Sequence, residues 1–175
     1  MEIPGLGAVS KDAELGWHYS KPIAVPILGR KCQMVIEGYD EDTNKTEFHA
    51  AIQNFLSLDP AVLKEAESYI FQYYQDCLFN SKAFEQKQGA AIRNENEIWQ
   101  QVRLGKQPMV TRRPYGDKAV YVSLECECDW DEEHGLQIVF KNGTKVSKVG
   151  PYDGHVTNSD AYGNESLENV VYCGV

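Results

Sequence analysis

The stretch LQIVFKNGTKVSKV, residues 136–149, predicts a β-hairpin and decides the fold of the C-terminal half. Apolar and polar residues alternate on both sides of Asn142-Gly143, as in strands that bury one face. Asn and Gly best tolerate the positive φ that both central residues of a type I′ turn need. Lys141 is therefore expected opposite Thr144, which sets the register. The predicted core face carries Leu136, Ile138, Phe140 and Val149, and the opposite face carries Gln137, Val139, Lys141, Thr144, Val146 and Lys148.

Further strands and helices are predicted on the N-terminal side of this hairpin. Short β-like runs broken by Gly and Pro fill the first 40 residues, and apolar residues at helical spacing follow them. Asn44 and Glu47 have the spacing of a helix N-cap and its reciprocal partner. The predicted strands are 7–10, 16–20, 23–28, 32–36, 109–112 and 119–127, and the predicted helices begin at Asn44, Asp59 and Asn94.

This order of elements predicts an α+β fold. An antiparallel sheet carries about three helices on one side, with an N-terminal β meander and a C-terminal β-hairpin. A chain of 175 residues is expected to form one globular domain over residues 1–175. The segment 80–91 is polar and poorly periodic, which predicts a mobile loop.

The charge of the chain favours some partners and excludes others. Its 26 acidic and 17 basic residues give a formal net charge of −9, which repels nucleic acid and anionic membranes and favours a basic protein partner. The N-terminus lacks the features of a secretory signal, and no window approaches 18 apolar residues. Five cysteines form no even disulfide set, so they are expected as reduced thiols in a cytoplasmic protein.

The densest cluster of polar and reactive residues lies at 126–155. It contains no complete catalytic or cofactor signature, so the favoured hypothesis is a non-enzymatic protein that needs no cofactor and presents an acidic, tyrosine-bearing surface to a macromolecular partner. The residues predicted to bind that partner are Asp129, Trp130, Asp131, Glu132, Glu133 and Tyr152.

Two chemical alternatives use the same region. His134, Asp153 and His155 would form an acid–base site of a hydrolase or metal-assisted enzyme if the hairpin brought them to one pocket. Cys126 and Cys128 are two apart in a predicted strand, so both thiols face one side and would hold a soft cation together with His134. Familiar zinc sites have four ligands at other spacings, which favours buried strand cysteines.

Arg112 and Arg113 lie next to the turn-forming sequence Pro114-Tyr115-Gly116-Asp117. Together with Lys118 they would form a small anion site in an otherwise acidic molecule. The favoured interpretation is that they form salt bridges with surrounding carboxylates.

Three motifs resemble a bacterial family of unknown function that includes cyanobacterial members. They are Asp129-Trp130, the run Glu133-His134-Gly135-Leu136 leading through Asn142-Gly143, and Asp153-Gly154-His155. The resemblance covers nearly the whole chain. It implies no established activity, substrate or cofactor, and similar domains occur among immunity proteins of bacterial toxin systems. A role in blocking a basic toxin or enzyme is therefore an expectation that the resemblance supplies.

Overall fold

The structure, a computed structural model, describes residues 1–80 and 92–174. The predicted mobile loop 80–91 lies outside them, apart from Asn80, the last residue of a helix. The strands are β1 (Glu2–Ile3), β2 (Gly7–Lys11), β3 (His18–Ser20), β4 (Ile23–Val25), β5 (Arg30–Cys32), β6 (Val35–Ile36), β7 (Val102–Arg103), β8 (Met109–Arg112), β9 (Val120–Cys128), β10 (Leu136–Lys141) and β11 (Lys145–Gly150). The α-helices are α1 (Lys45–Leu56), α2 (Lys64–Asn80) and α3 (Asn158–Tyr162).

One large sheet organises the molecule. Its strands are neighbours in the order β1, β2, β3, β6, β8, β9, β10 and β11, and β7 pairs with β9. β6 and β8 run parallel, because α1 and α2 provide the long crossover that a parallel pair needs. The other strand pairs of this sheet are antiparallel. The predicted α+β class is confirmed.

Helices α1 and α2 cover one face of this sheet with apolar side chains. α1 lies across β8 and β9, and α2 lies beside β11. The stripe Phe48, Ile52 and Phe55 of α1 is fully buried, and the Phe55 ring meets the Phe140 ring of β10 at 5.5 Å between centroids. Neither these helices nor any other in the described residues is long and apolar enough to cross a membrane.

The hairpin confirms the predicted turn and corrects the predicted register. Asn142 and Gly143 have φ values of 52° and 66°, as the turn requires. Lys141 pairs with Lys145 and not with Thr144 as predicted, so Phe140 pairs with Val146. A β-bulge between Val139 and Phe140 then shifts the register again, so that Val139 pairs with Lys148. Val146 therefore reaches the core face together with Val149, and its prediction on the opposite face was wrong.

Three other local predictions are corrected. The strand predicted at 32–36 is divided between β5 and β6, and the run 23–28 is β4 followed by a 3-10 helix at Pro26–Leu28. The helix predicted from Asn94 is a 3-10 helix, Glu95–Gln101. Strand β7 follows it directly.

The caps of the two long helical regions differ. The Asn44 side chain donates a hydrogen bond to the Glu47 carboxylate at 2.9 Å, and, contrary to the prediction, it accepts none from a helix N–H. The Asp59 carboxylate does accept from the Ala61 N–H at 2.8 Å. A short 3-10 turn therefore starts at Pro60 and continues into α2.

The second face of the sheet is covered by residues 150–174, here called the C-terminal segment. Val156 of this segment packs with Tyr121 and Val139 of the sheet in a small apolar cluster that is separate from the main core. The segment then passes the outer edge of β11, where the Val149 N–H donates to the Val171 carbonyl at 2.7 Å. It ends beside α2, where the Tyr172 hydroxyl donates to Asp76 at 2.6 Å. The candidate site lies on this second face.

Candidate functional site

A cavity of about 900 Å³ lies where the C-terminal segment meets the loops that follow β6 and β8. We call it the acidic cavity, because its ionisable lining consists of five carboxylates, two guanidinium groups and one imidazole. With the imidazole neutral, the lining has a net charge of −3. These groups belong to Glu37, Glu41, Asp42, Asp160, Glu165, Arg112, Arg113 and His155.

Arg113 is the structural centre of this cavity and is 2% exposed. Its Nε and Nη2 groups donate to Asp160 at 2.6 and 2.7 Å, and Nη2 also donates to Glu168 at 2.9 Å. Nη1 donates to Glu168 and, at 3.5 Å, to Asp117. The hydrogen bonds from Arg113 hold the pKa of Asp160 and of Glu168 below the usual range. Every N–H of this guanidinium therefore has a carboxylate acceptor.

Arg112 points to the opposite face of β8, because neighbouring side chains of a strand alternate. Its guanidinium group pairs with Asp42 and Glu47 and lies over the Phe48 ring at 5.5 Å. The predicted use of both arginines in salt bridges is confirmed. An anion site would need free guanidinium donors, which Arg113 does not offer.

Exposed aromatic surface borders the acidic cavity. Tyr115 follows Pro114 in the loop after β8 and is 72% exposed, although tyrosine usually buries much of its ring. Tyr162 of α3 is 48% exposed. Gly116 lies behind Tyr115 with φ of 59°, and a Cβ there would lie 2.6 Å from the Arg113 guanidinium. Arg113 and Gly116 thus fix the loop that presents Tyr115.

Lys148, a buried side chain of β11, positions the loop of Asp153 and His155 at the edge of the cavity. Its side chain is 1% exposed and donates to Gln137 at 3.0 Å, to the His155 carbonyl at 3.0 Å and to Asp153. Gln137 in turn donates to Ser123 at 2.9 Å. Burial lowers the pKa of Lys148, and Asp153 partly offsets this effect. Asp153 therefore holds the loop in place as the partner of a buried ammonium group.

The predicted acid–base residues are not brought to one pocket. His155 lines the acidic cavity and its Nδ1 lies 3.5 Å from Asp153 Oδ1. His134 lines a second cavity of about 1340 Å³, and its Nδ1 lies 3.1 Å from Asp131 Oδ2. The Asp131 carboxylate also accepts the backbone N–H groups of Glu133 and His134, which makes it a turn-stabilising group.

This second cavity has a nearly balanced lining, and we call it the mixed-charge groove. Its five carboxylates face four cationic side chains, which leaves a net charge of −1 with His134 neutral. Arg103 pairs with Glu127 at 2.8 Å and with Asp129 at 2.7 Å. The cations are Arg30, Lys31, Arg103 and Lys106, and the carboxylates are Glu125, Glu127, Asp131, Glu132 and Glu133.

Cys126 and Cys128 both face the interior, as their spacing in the strand predicts. Burial raises the pKa of each thiol to about 12, so both are protonated near neutral pH. Among the residues that the structure describes, no group of three or more His, Cys, Asp or Glu side chains is arranged to hold a metal ion. The alternative that combines these thiols with His134 is therefore not assembled. All five cysteines are free.

The predicted partner-binding residues fall into buried and exposed groups. Trp130 is only 7% exposed and meets the rings of Tyr73 and Tyr74 edge-on at 5.8 and 5.6 Å, so little of its side chain is accessible to a partner. Asp131 accepts the Tyr73 hydroxyl at 2.7 Å and anchors the same cluster. The exposed members are Asp129, Glu132 and Glu133.

Tyr152 is half-buried in a different place from these residues, on the second face of the sheet. Burial raises the pKa of its hydroxyl, and the carboxylates of Glu125 and Glu37 raise it further. Tyr152 therefore lies in acidic surroundings close to Glu37 of the acidic cavity.

Sequence reasoning did not identify the main components of the acidic cavity. Glu37 and Glu41 lie in the loop after β6, whereas Glu165 follows α3 near the other end of the chain, and no local pattern links the two segments. Tyr115 did have a usable signal, because a tyrosine in the turn sequence Pro-Tyr-Gly-Asp is expected to project outward.

The sheet, its helical layer and the acidic cavity define a small α+β domain with a charged surface site. The chain belongs to the family described as Domain of unknown function (DUF6985), whose model matches residues 5–156. Comparisons with curated proteins and with solved structures found no match. The family match includes Arg113 and Lys148 and ends at Val156, so Asp160, Glu165 and Glu168 lie beyond it.

Proposed function

We propose that this protein is a non-enzymatic interaction protein of the bacterial cytoplasm that presents an acidic surface to a basic macromolecular partner. In this role it covers and blocks a toxin or enzyme, as an immunity protein does. The acidic cavity is the observation that supports the proposal. Its carboxylates exceed its cations, and an exposed tyrosine stands at its border.

The two arginines of the acidic cavity are neutralised by salt bridges within the molecule, which leaves other carboxylates of the lining uncompensated. Arg112 and Arg113 are engaged by carboxylates within the molecule, so their charges do not offset Glu37, Glu41 and Glu165 at the cavity. A cleft lined by one sign of charge concentrates ligands of the opposite sign and accelerates their encounter. Aromatic residues such as Tyr115 are enriched at protein interfaces. Charge and exposed aromatic surface therefore support the same role.

The enzymatic alternative has no comparable support. General acid and base groups must reach one substrate through hydrogen bonds or a single water. His134 and His155 line different cavities, and Asp153 is bonded to Lys148. No described observation favours catalysis by these three residues over their structural roles.

Capture from the cells that encode the protein tests the proposal. The tagged chain is isolated after chemical cross-linking at 50 and 300 mM salt, and bound proteins are identified by mass spectrometry. We expect one dominant basic protein at low salt and much less of it at high salt, because screening weakens exposed charge pairs. Recovery of the chain alone at both salt concentrations contradicts the proposal.

Two triple variants compare the cavities in the same experiment. E37Q/E41Q/E165Q neutralises three carboxylates of the acidic cavity, and E127Q/E132Q/E133Q neutralises three of the mixed-charge groove. Both variants change the net charge by the same amount, so a difference between them reports the location of binding. Retention of the partner by both variants contradicts an acidic docking surface at either cavity.

A further inference from the structure

We propose that the acidic cavity is a docking site for an arginine side chain carried by an exposed basic segment of the partner. This inference rests on the proposed function and makes its location and chemistry specific. The observation that supports it is that Tyr115, which is 72% exposed, lies beside a cavity lined by carboxylates.

The charges of the cavity select a cation. The internal partners of Arg112 and Arg113 are carboxylates, and Lys141 pairs with Asp117. The lining retains a net charge of −3 after both arginines are counted. An acidic ligand would lose its hydration and gain no free guanidinium donor from Arg113. A basic side chain gains carboxylate acceptors without displacing an existing salt bridge.

The ring of Tyr115 favours a guanidinium group over an ammonium group. Guanidinium is planar and weakly hydrated, so it stacks on an aromatic face while its N–H groups bind carboxylates. An ammonium group is compact and strongly hydrated, and it loses more on leaving water. Tyr115 and the carboxylates of Glu41 and Glu165 line the same cavity, so an arginine side chain bound there has both kinds of contact in the surrounding lining.

The cavity also has a suitable size and a firm support. A volume of about 900 Å³ is large enough for one arginine side chain with the residues on either side of it. Two buried cations position its lining. Arg113 donates to Asp160 of α3, and Lys148 donates to the His155 carbonyl. A preformed site loses less conformational freedom on binding.

Binding of labelled peptides to the purified full-length chain tests the inference. Three fluorescein-labelled peptides share a Gly-Ser backbone and carry three arginines, three lysines or three citrullines, citrulline being the neutral analogue of arginine. Fluorescence anisotropy is measured at 50 and 300 mM NaCl. We expect the arginine peptide to bind at least about fivefold more tightly than the lysine peptide and about tenfold more weakly at the higher salt. The citrulline peptide should show no measurable binding.

Substitutions at the cavity locate the site. E41Q/E165Q should weaken binding of the arginine peptide by at least about tenfold and Y115A by about threefold to tenfold, because each removes one class of contact. E132Q/E133Q in the mixed-charge groove is the matched control and should leave affinity unchanged. All substituted side chains are exposed, and thermal denaturation confirms that the variants are folded.

Three results overturn the inference. They are equal binding of the arginine and citrulline peptides, equal binding of the arginine and lysine peptides, and full affinity in E41Q/E165Q. If any of them occurs while the captured cellular partner is still retained, the interaction role stands and the arginine site does not. If the cellular partner is also absent, the proposed function fails with it.

Discussion

The two faces of the sheet are covered in different ways. The helix-covered face is apolar, with Phe48, Phe55 and Phe140 fully buried in the main core. The opposite face holds the C-terminal segment through the buried cations Arg113 and Lys148 over a much smaller apolar cluster. Apolar burial is the dominant favourable term in folding, whereas buried ion pairs gain little net energy after desolvation. We infer that the helical face stabilises the fold and the other face fixes the geometry of the acidic cavity.

This difference implies two levels of stability. Proteins open in cooperative units, and units with few apolar contacts open at lower free energy. The C-terminal segment should therefore loosen while β9, β10 and α1 remain folded. The acidic cavity would then be lost before the sheet is.

The largest expected effect is on the apolar face. Phe140→Ala should lower the free energy of unfolding by about 3–5 kcal/mol, because it leaves a cavity against Phe55. Chemical denaturation measures this loss, and hydrogen exchange should accelerate on both faces together. Tyr115→Ala is the exposed control and should change stability by no more than about 0.5 kcal/mol. A loss below about 1 kcal/mol for Phe140→Ala would mean that this face does not stabilise the fold as described.

Arg113→Met should have the next largest effect and should act locally. Removing the guanidinium leaves Asp160 and Glu168 close together without their shared cation, at a cost of about 3 kcal/mol. Hydrogen exchange followed by mass spectrometry should show faster exchange at 157–171, with β9 and β10 still protected.

The triple variant R113M/D160N/E168Q provides the control for this experiment. It removes the repelling charges as well as the guanidinium, so part of the lost protection should return. If Arg113→Met instead reduced protection from hydrogen exchange equally across the whole sheet, the two faces would not differ in stability as inferred.

Lys148→Met should destabilise by about 2 kcal/mol, because it leaves Gln137, Asp153 and the His155 carbonyl without their donor. Asp153→Asn should cost less, since its side chain is 30% exposed and water can replace part of the interaction. A double-mutant cycle should give a positive coupling energy for the pair. Independent, additive effects would show that this ion pair does not hold the loop.

The smallest expected effect is the response to mild acid. Burial raises the pKa of Asp117, but hydrogen bonds from Lys141, the Ala119 N–H and Tyr121 outweigh it and hold the pKa at about 2. The pKa values of Asp160 and Glu168 are also lowered, chiefly by Arg113. A carboxyl with a lowered folded pKa stabilises the fold above its unfolded pKa of about 4, and this contribution is lost as the pH falls through the folded value.

The loss from Asp117 should therefore be on the order of a few tenths of a kcal/mol at pH 4 and should grow toward pH 2. Amide signals of 157–171 in an NMR titration from pH 6 to 2 should broaden before those of β9 and β10. Simultaneous loss of both sets of signals would argue against local release of the C-terminal segment.

Much of the fold could be predicted from the sequence, because local rules set it. Helical spacing located α1 and α2, and Asn142-Gly143 located the turn. The register could not be predicted, because strict alternation excludes the bulge that brings both Val146 and Val149 to the core. The register is set by the pairing of Lys141 with Lys145 at the turn together with this bulge.

The candidate site was less predictable, because contacts between distant segments form it. Pairing of Arg113 with carboxylates was predicted, but Asp160 and Glu168 are identified only by the path of the C-terminal segment. The acidic run around Trp130 suggested an exposed surface. Trp130 nevertheless continues the two-residue period of Cys126 and Cys128, which was the available signal for its burial.

The hydrogen bond from the Val149 N–H to the Val171 carbonyl has a consequence for how chains behave together in solution. It occupies one backbone donor at the outer edge of β11, an edge whose unpaired backbone groups can pair with the edge of another sheet. A polypeptide that stopped at Val156, where the family match ends, would leave this edge open. Such a shortened protein should self-associate through strand pairing. The residues after Val156 would therefore limit self-association as well as shape the acidic cavity.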